Sequence, residues 1–372
     1  MLSARPAGAC RPPPDQQKEL AITTIADPER PRVTVGVDTH LDVHVAHAKD
    51  QLGRRMETVS IPTTPAGYQD LLAWARGLGE VEAWGVEGTG CYGAALTRFL
   101  GDQGQVVPKI GRAQARRRRG KSDPVDAEAA ARSVQAGEVT TVPKAGNATV
   151  EMIRSLRVAR QTAIKARTQA INALKALLVT APAQLREQLR GRSAAMLVRQ
   201  AAALEPGPLV TPTAAAKLAL RCLACRYQAL HAEVATLDTE LARLVAKAAP
   251  GLVARFGVGP DSAGALLVAA GDNPGRLRSD ACFSMLCGSS PIEASSGKTR
   301  RHRLNRGGDR QANAALYRIV VVRLRWHQPT KDYMARRLKE GKTTKEIIRC
   351  LKRYVAREMF TVLNQTVPTP AT

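Results

Sequence analysis

Aromatic residues make up only 3% of the 372-residue chain, which argues against base-stacking platforms as its main mode of binding. Acidic residues are also scarce: 32 Asp and Glu face 56 Lys and Arg, leaving a formal net charge of +24. That excess suits a phosphate backbone. A membrane surface is the other acidic partner, but no apolar run reaches spanning length and no secretory signal is visible, so no membrane partner is expected. Cysteine is sparse and odd in number, seven without framework spacing, as expected for reduced thiols in a cytoplasm. Cys222 and Cys225 form one CxxC with no second pair, which reads as helix packing rather than zinc. Residues 1–32, rich in Pro and charge, read as a disordered extension.

Against this basic background four acids stand out: Asp38 in VGVDTH, Glu87 in VEGTG, and Asp123 and Asp126 in KSDPVDAEAA. Gathering carboxylates costs repulsion unless cations bind among them. The apolar run Val33 to Val37 reads as a buried central strand ending at Asp38. Strands are expected at residues 42–48, 54–61, 82–87 and 105–110, with helices at 65–76 and 91–103 and a last helix opening at Asp123. The order βββαβαβα over residues 33–147 is that of an RNase H-like fold. Asp123 and Asp126 are three apart, so a helix turns them to one side, where they can meet strand-end acids. Such a set can hold two Mg²⁺ or Mn²⁺ ions roughly 3.5–4 Å apart for in-line attack on a phosphodiester. Each acid alone has a plainer reading, as turn residue, solvated strand end or helix cap; the set on these elements is what points to metal. Asp42 is a rival first-strand ligand lying beyond the turn. Asp50, Asp70 and Glu80 read as solvated, and His40, His44 and His47 as strand-surface or substrate-proximal residues.

Residues 148–250 change character. From Val150 to Leu178 apolar residues recur at helical spacing among Arg154, Arg157, Arg160, Lys165, Arg167 and Lys175, which predicts a long basic helix. Leu230, Val234, Leu237, Leu241 and Leu244 repeat as a coiled-coil seam. The pair suits a projecting hairpin that binds nucleic acid, pairs with another subunit, or packs on its own core. In residues 251–372 the segment FGVGPDSAGALL resembles a helix-hairpin-helix turn offering backbone amides to a phosphate. The stretch 287–310 then combines Gly and Ser flexibility with Lys298, Arg300, Arg301, Arg303, Arg306 and Arg310. The expected nucleic-acid contacts are Arg116, Arg117, Arg118, Arg119, Arg154, Arg157, Lys165, Lys298, Arg300, Arg301, Arg303 and Arg306. Such a loop is either a backbone-binding arm or the carrier of a nucleophilic serine beside cations that hold a phosphate.

Together VGVDTH, VEGTG, KSDPVDAEAAAR, the FGVGPDSAGALL turn and GSSPIEASSGK followed by RLNRGGDRQANAALY resemble the bacterial insertion-sequence transposases of the Piv-invertase type, family one-ten. The likeness spans residues 33 to about 365 and implies an α/β plus α architecture. A RuvC-like DEDD nuclease domain would be joined by a helical coiled-coil middle to a mainly helical C-terminal transposase domain with a catalytic serine. It carries the four acids over to Asp38, Glu87, Asp123 and Asp126, and the serine, directly before Gly297, to Ser296, with Ser295 adjacent. It further implies a DNA recombinase that works as a dimer or tetramer with active sites shared between subunits, passes through a serine-DNA intermediate, and in some members is guided by a structured noncoding RNA. A metal-only RuvC-like junction nuclease would need the acids and no serine; a noncatalytic nucleic-acid-binding protein would need neither.

Overall fold

The structure is a computed structural model that describes residues 30–110, 122–138, 142–146, 148–273, 276–299 and 301–366. The extension up to residue 29, Arg116 to Arg119 and Arg300 lie outside the described residues. The chain divides into two compact units, residues 1–141 and 142–372.

In the first unit, β1 (Arg32–Thr39), β2 (Val43–Asp50) and β3 (Arg55–Pro62) precede α1 (Pro65–Leu78), β4 (Glu80–Val86), α2 (Ala94–Asp102) and α3 (Asp123–Gln135). The sheet order is β3-β2-β1-β4, with β1 antiparallel to β2, β2 antiparallel to β3, and β1 parallel to β4. β1 is buried on both faces, with Val33, Val35 and Val37 alternating with Thr34 and Gly36. On one face Val35, Val37, Trp84 and Val86 pack with Leu71, Leu72, Leu96 and Leu100 of α1 and α2. Thr64 starts α1 by accepting the Gly67 N–H at 3.1 Å, with Pro65 in the first helical position. The strand expected at residues 105–110 is reduced to a single parallel bridge, Val86 to Lys109, plus Trp84 N–H donating to the Val106 carbonyl. Pro108 sits in the middle of that run and has no N–H to give a ladder.

The second unit is mostly helical: α4 (Thr149–Thr180), α5 (Ala183–Leu189), α6 (Ala194–Ala202), α7 (Pro212–Ala248), α8 (Pro250–Val253), α9 (Pro260–Ala270), α10 (Asp280–Leu286), α11 (Arg310–Trp326), α12 (Gln328–Lys339) and α13 (Thr344–Thr366). One hairpin, β5 (Ile292–Glu293) and β6 (His302–Arg303), interrupts it between α10 and α11. Ile153 of α4 shares a core with Leu241 and Leu244 near the end of α7, while Leu174 near the end of α4 shares another with Leu220 near the start of α7. The two long helices therefore run antiparallel. Of the predicted seam, Val234, Leu241 and Leu244 are buried and Leu230 and Leu237 half-buried. α4 of the same chain covers that face, so the seam by itself calls for no second copy. Cys222 and Cys225 sit on the exposed side of α7, a correction to the packing expected of them. Among the described residues no helix is long and apolar enough to cross a membrane.

Candidate active site

The face of the sheet opposite α1 and α2 is covered by α3, and two glycines make this possible. Gly36 of β1 and Gly85 of β4 are direct cross-strand partners. A methyl group on Gly36 would lie 2.0 Å from the Ala127 carbonyl oxygen, and one on Gly85 2.7 Å from that of Ala130. The helix backbone thus rests on the sheet backbone. Side chains on a strand share a face at every second residue, so Asp38 and Glu87, each two beyond its glycine, are directed to the face that α3 occupies. The parallel register continues at their level, the Glu87 N–H donating to the Val37 carbonyl at 3.0 Å, and Thr39 Oγ1 donates to the Glu87 carbonyl. Asp123 and Asp126 lie in the first turn of α3, where carboxylates also favour the helix dipole.

Asp38 is buried and Asp123 is exposed, and His40 stands between them. Its Nε2 is 3.1 Å from Asp38 Oδ2 and 3.4 Å from Asp123 Oδ1. One ligand atom from each of the three lies within 4.8 Å of the others. Glu87 and Asp126, both half-buried, are not part of that trio. His40, read from sequence as strand surface or near substrate, is thus a site residue. The missed signal was its position two after Asp38, on the same side of the strand end. His44 and His47 are buried instead. His44 stacks on Tyr68 at 5.9 Å, His47 Nδ1 pairs with Thr58 Oγ1 at 2.7 Å, and burial lowers the pKa of both.

A further buried acid fixes the helix that brings Asp123 to Asp38. Glu128 of α3 meets Lys49 of β2 at 3.6 Å, Arg55 of β3 at 2.6 Å and Arg132 at 2.7 Å. Burial pushes its pKa up, but hydrogen bonds from Arg55 and Arg132 and their charges outweigh that and hold it down to about 2. At the far end of α3, Gln135 Nε2 donates to the Asp50 carbonyl at 2.7 Å. Asp50, expected to be solvated, is buried and organises the β2–β3 turn by accepting the Leu52 and Arg54 N–H groups and the Arg54 Nε.

Residues 35–181 match the family model of the DEDD domain of IS110-type elements, described as Transposase, and residues 252–335 match the Transposase IS116/IS110/IS902 family. The chain belongs to the IS110 family of insertion-sequence transposases. No curated protein matches it significantly. The transposase is accordingly a DNA-cleaving and recombining enzyme with DNA as its substrate.

Ser296 of this transposase belongs to the second unit. The stretch read as a flexible loop is a β-hairpin. Ile292 pairs with Arg303 and Glu293 with His302, and Ser296 and Thr299 exchange backbone hydrogen bonds at 3.1 Å. Gly297 takes φ +56, the positive φ that tight hairpin turns need at this position. The neighbouring serines differ in their hydroxyls. Ser295 Oγ accepts the Arg301 N–H at 3.2 Å and faces the Arg301 carbonyl at 3.4 Å, whereas the exposed Ser296 hydroxyl has no partner among the described residues. The hairpin's two ends are pinched together: a methyl on Gly308 would lie 2.3 Å from the Gly288 nitrogen, and Asn313 Nδ2 donates to the Cys287 and Gly288 carbonyls.

The predicted nucleic-acid contacts fall into three groups. Lys165, Lys298, Arg301, Arg303 and Arg306 are exposed, and among the described residues their side chains have no ion pair. Arg154 is exposed but held by Glu151. Arg157 is corrected: it is 4% exposed and its guanidinium binds the carboxylate and carbonyl of Asp261, which also takes Arg318 at 2.7 Å and Arg160 at 3.4 Å. The same Asp261 stands in the first turn of α9, the helix that the FGVGPD turn opens.

Proposed function

We propose that this transposase cuts and rejoins the ends of its element with two sets of groups, an acidic set that holds divalent cations and a serine that becomes joined to DNA. The observation that carries the reading is the meeting of Asp38, at a strand end, with Asp123, at a helix start 85 residues later, about His40. Carboxylate oxygens suit Mg²⁺ and Mn²⁺. In this reading the nuclease domain is RNase H-like, Asp38, Glu87, Asp123 and Asp126 hold the ions, and His40 orients Asp38 and Asp123. When bound, the cations neutralise charge that builds on the phosphate and favour deprotonation of the attacking hydroxyl.

Ser296 is the nucleophile. Its Oγ forms a bond to phosphorus, the bond from phosphorus to one deoxyribose oxygen breaks, and that oxygen takes up a proton; one phosphodiester replaces another, so no external energy source is needed. The free Ser296 hydroxyl, beside a Ser295 hydroxyl already engaged with backbone, supports this choice over its neighbour. Lys298, Arg300, Arg301, Arg303 and Arg306 hold the phosphates, with Arg116 to Arg119 and Lys165 as further contacts. The resemblance to members with shared active sites and a guide RNA supports a dimer or tetramer and a structured RNA partner, and the basic surface is compatible with both.

The test is to trap the reaction on element-end DNA, digest the protein and map the modified peptide. A nucleotide adduct on Ser296, lost in Ser296→Ala together with recombination while DNA binding persists, is the expected result. Normal recombination by Ser296→Ala would favour the metal-only nuclease.

A further inference from the structure

Within the second unit a cleft of about 1450 Å³ opens beside the base of the serine hairpin. Its walls are helix faces. Arg310, Asn313, Ala314 and Tyr317 recur at helical spacing on α11, as do Lys345, Ile348, Arg349 and Lys352 on α13. The ends of the hairpin, Gly288 to Pro291 and His302 to Arg306, close one side.

The cleft is strongly basic, and the chain does not neutralise it. Arg353 and Arg357 are matched to Asp280, and Arg337 to Glu340. Lys352 donates to Asn313 Oδ1 at 2.9 Å, bracing the carboxamide that grips the hairpin base. Arg303, Arg306, Arg310, Lys342, Lys345 and Arg349 have no ion pair among the described residues. The acid in the lining, Glu346, is engaged at the start of α13, accepting the Thr343 N–H and hydroxyl at 2.9 and 2.7 Å. Glu346 also sets its charge against Lys342 and Arg349, but one carboxylate does not balance six cations, so the cleft favours a further anion.

Phosphate alone does not account for the rest of the lining. The chain has only six tyrosines. Two of them, Tyr317 and Tyr354, line this cleft with their rings about half exposed, next to the apolar Leu304 and Ile348. Tyr354 is backed edge-on by Tyr333 at 5.7 Å, and the Arg336 guanidinium lies 5.4 Å over the Tyr333 ring, so the platform is braced from behind. A duplex hides the faces of its bases and has no use for exposed rings. An unpaired strand offers both a row of phosphates and bare π-faces, each stacked base contributing appreciably to affinity.

We propose that this cleft binds an unpaired nucleic-acid strand, its bases stacked on Tyr317 and Tyr354 and its phosphates held by the six cations that have no ion pair among the described residues. The choice of polymer rests on the reading of the chain as a DNA-acting recombinase; the geometry of the cleft uses neither Ser296 nor the acids. A strand seated there lies next to the hairpin that carries Ser296, as a transiently opened DNA end or a guide RNA would require.

The experiment uses the full chain with a 15-nucleotide fluorescent probe carrying 5-iodouracil, made as single-stranded DNA, as single-stranded RNA and as blunt duplex DNA. Irradiation should yield adducts on Tyr317 or Tyr354. Tyr317→Leu and Tyr354→Leu should each weaken unpaired-strand binding about tenfold and leave duplex binding unchanged. The double variant Lys345→Ala, Arg349→Ala should flatten the salt dependence of strand binding by about 1.4 in slope, about 0.7 per lost phosphate contact. Tighter binding of the DNA or of the RNA strand identifies the source. Adducts mapping wholly outside the cleft, or tyrosine variants that weaken strand and duplex equally or not at all, would overturn the proposal. Ser296→Ala should bind the strand normally, so loss of the serine mechanism and loss of the cleft are separate outcomes.

Discussion

Asp38 is 7% exposed and held on a strand buried on both faces, under a helix that two glycines admit to backbone contact. Ser296 is exposed at the tip of a hairpin held by a few local hydrogen bonds. The acids are held by the elements that carry them, a buried strand and the first turn of the helix packed on it, with Asp123 exposed at the edge. A nucleophile that must reach a phosphate inside a polymer needs access from solvent. The contrast separates substitutions that act on chemistry alone from those that act through packing.

The largest effect is expected where chemistry alone is removed. Asp38→Asn keeps shape and lowers charge repulsion, so the fold should survive with an unchanged or raised melting temperature. Strand cleavage should fall at least about a thousandfold, the loss of several kcal/mol of transition-state stabilisation. Chelation by EDTA should do the same to the wild type, with Mn²⁺ or Mg²⁺ restoring activity. Cleavage within tenfold of wild type in either experiment would remove the acids from the mechanism.

Glu128→Gln should act through packing. It leaves Lys49 buried without its acid, at a cost of about 3–5 kcal/mol. The sign with pH is fixed. Glu128 is held down to about 2 in the fold against an ordinary 4.5, so its stabilisation is complete above pH 4.5 and disappears as pH falls toward 2. Urea unfolding at pH 7 and at pH 3 should show a gap between wild type and variant that narrows in acid. A gap that is constant or widens would mean that Glu128 is not the anchor of α3.

Gly36→Ala tests the same packing at smaller scale. The added methyl falls 2.0 Å from a helix carbonyl, so α3 must move. A stability loss of about 1–3 kcal/mol is expected, with cleavage reduced on the order of a hundredfold as Asp123 leaves its place. Gly77→Ala in α1, where a methyl meets nothing within 4 Å, is the control and should stabilise by about 0.5–1 kcal/mol. Equal behaviour of the two variants would dissolve the account of how the acids are placed.

The same physics explains what the sequence disclosed. The strand order through β4 was legible, and so were Asp38 and Asp123, the two acids that the structure brings together, because a strand-end acid and a Ser-Asp-Pro helix start each leave a local mark. His40 was legible only as strand surface or near substrate; its place two after Asp38 puts it on that acid's side of the strand end, but only α3 brings Asp123 to it. Arg157 read as a phosphate contact because basic residues on a helix carry no mark of an acid about a hundred residues away that buries one of them. The fifth strand was over-read from Val106, Val107 and Ile110, with too little weight given to Pro108. The seam of α7 was legible as apolar spacing, whereas its cover, α4, is a tertiary fact.

The smallest effect is expected at Ser295. Its hydroxyl accepts the Arg301 N–H across the hairpin, an exposed bond whose loss costs about 1 kcal/mol or less, since water can replace it. Ser295→Ala should therefore loosen the hairpin slightly, visible as faster amide exchange at Arg301, and slow recombination by no more than about fivefold, while the trapped adduct remains on Ser296. Ser296→Ala should leave amide exchange at Arg301 unchanged, because its hydroxyl has no partner among the described residues, and should abolish the adduct. Opposite results for the two neighbours are what a structural serine beside a reactive one requires. If Ser295→Ala instead removed the adduct and Ser296→Ala did not, the hydroxyl engaged with backbone would be the nucleophile, and the hairpin would have to open at Arg301 before attack.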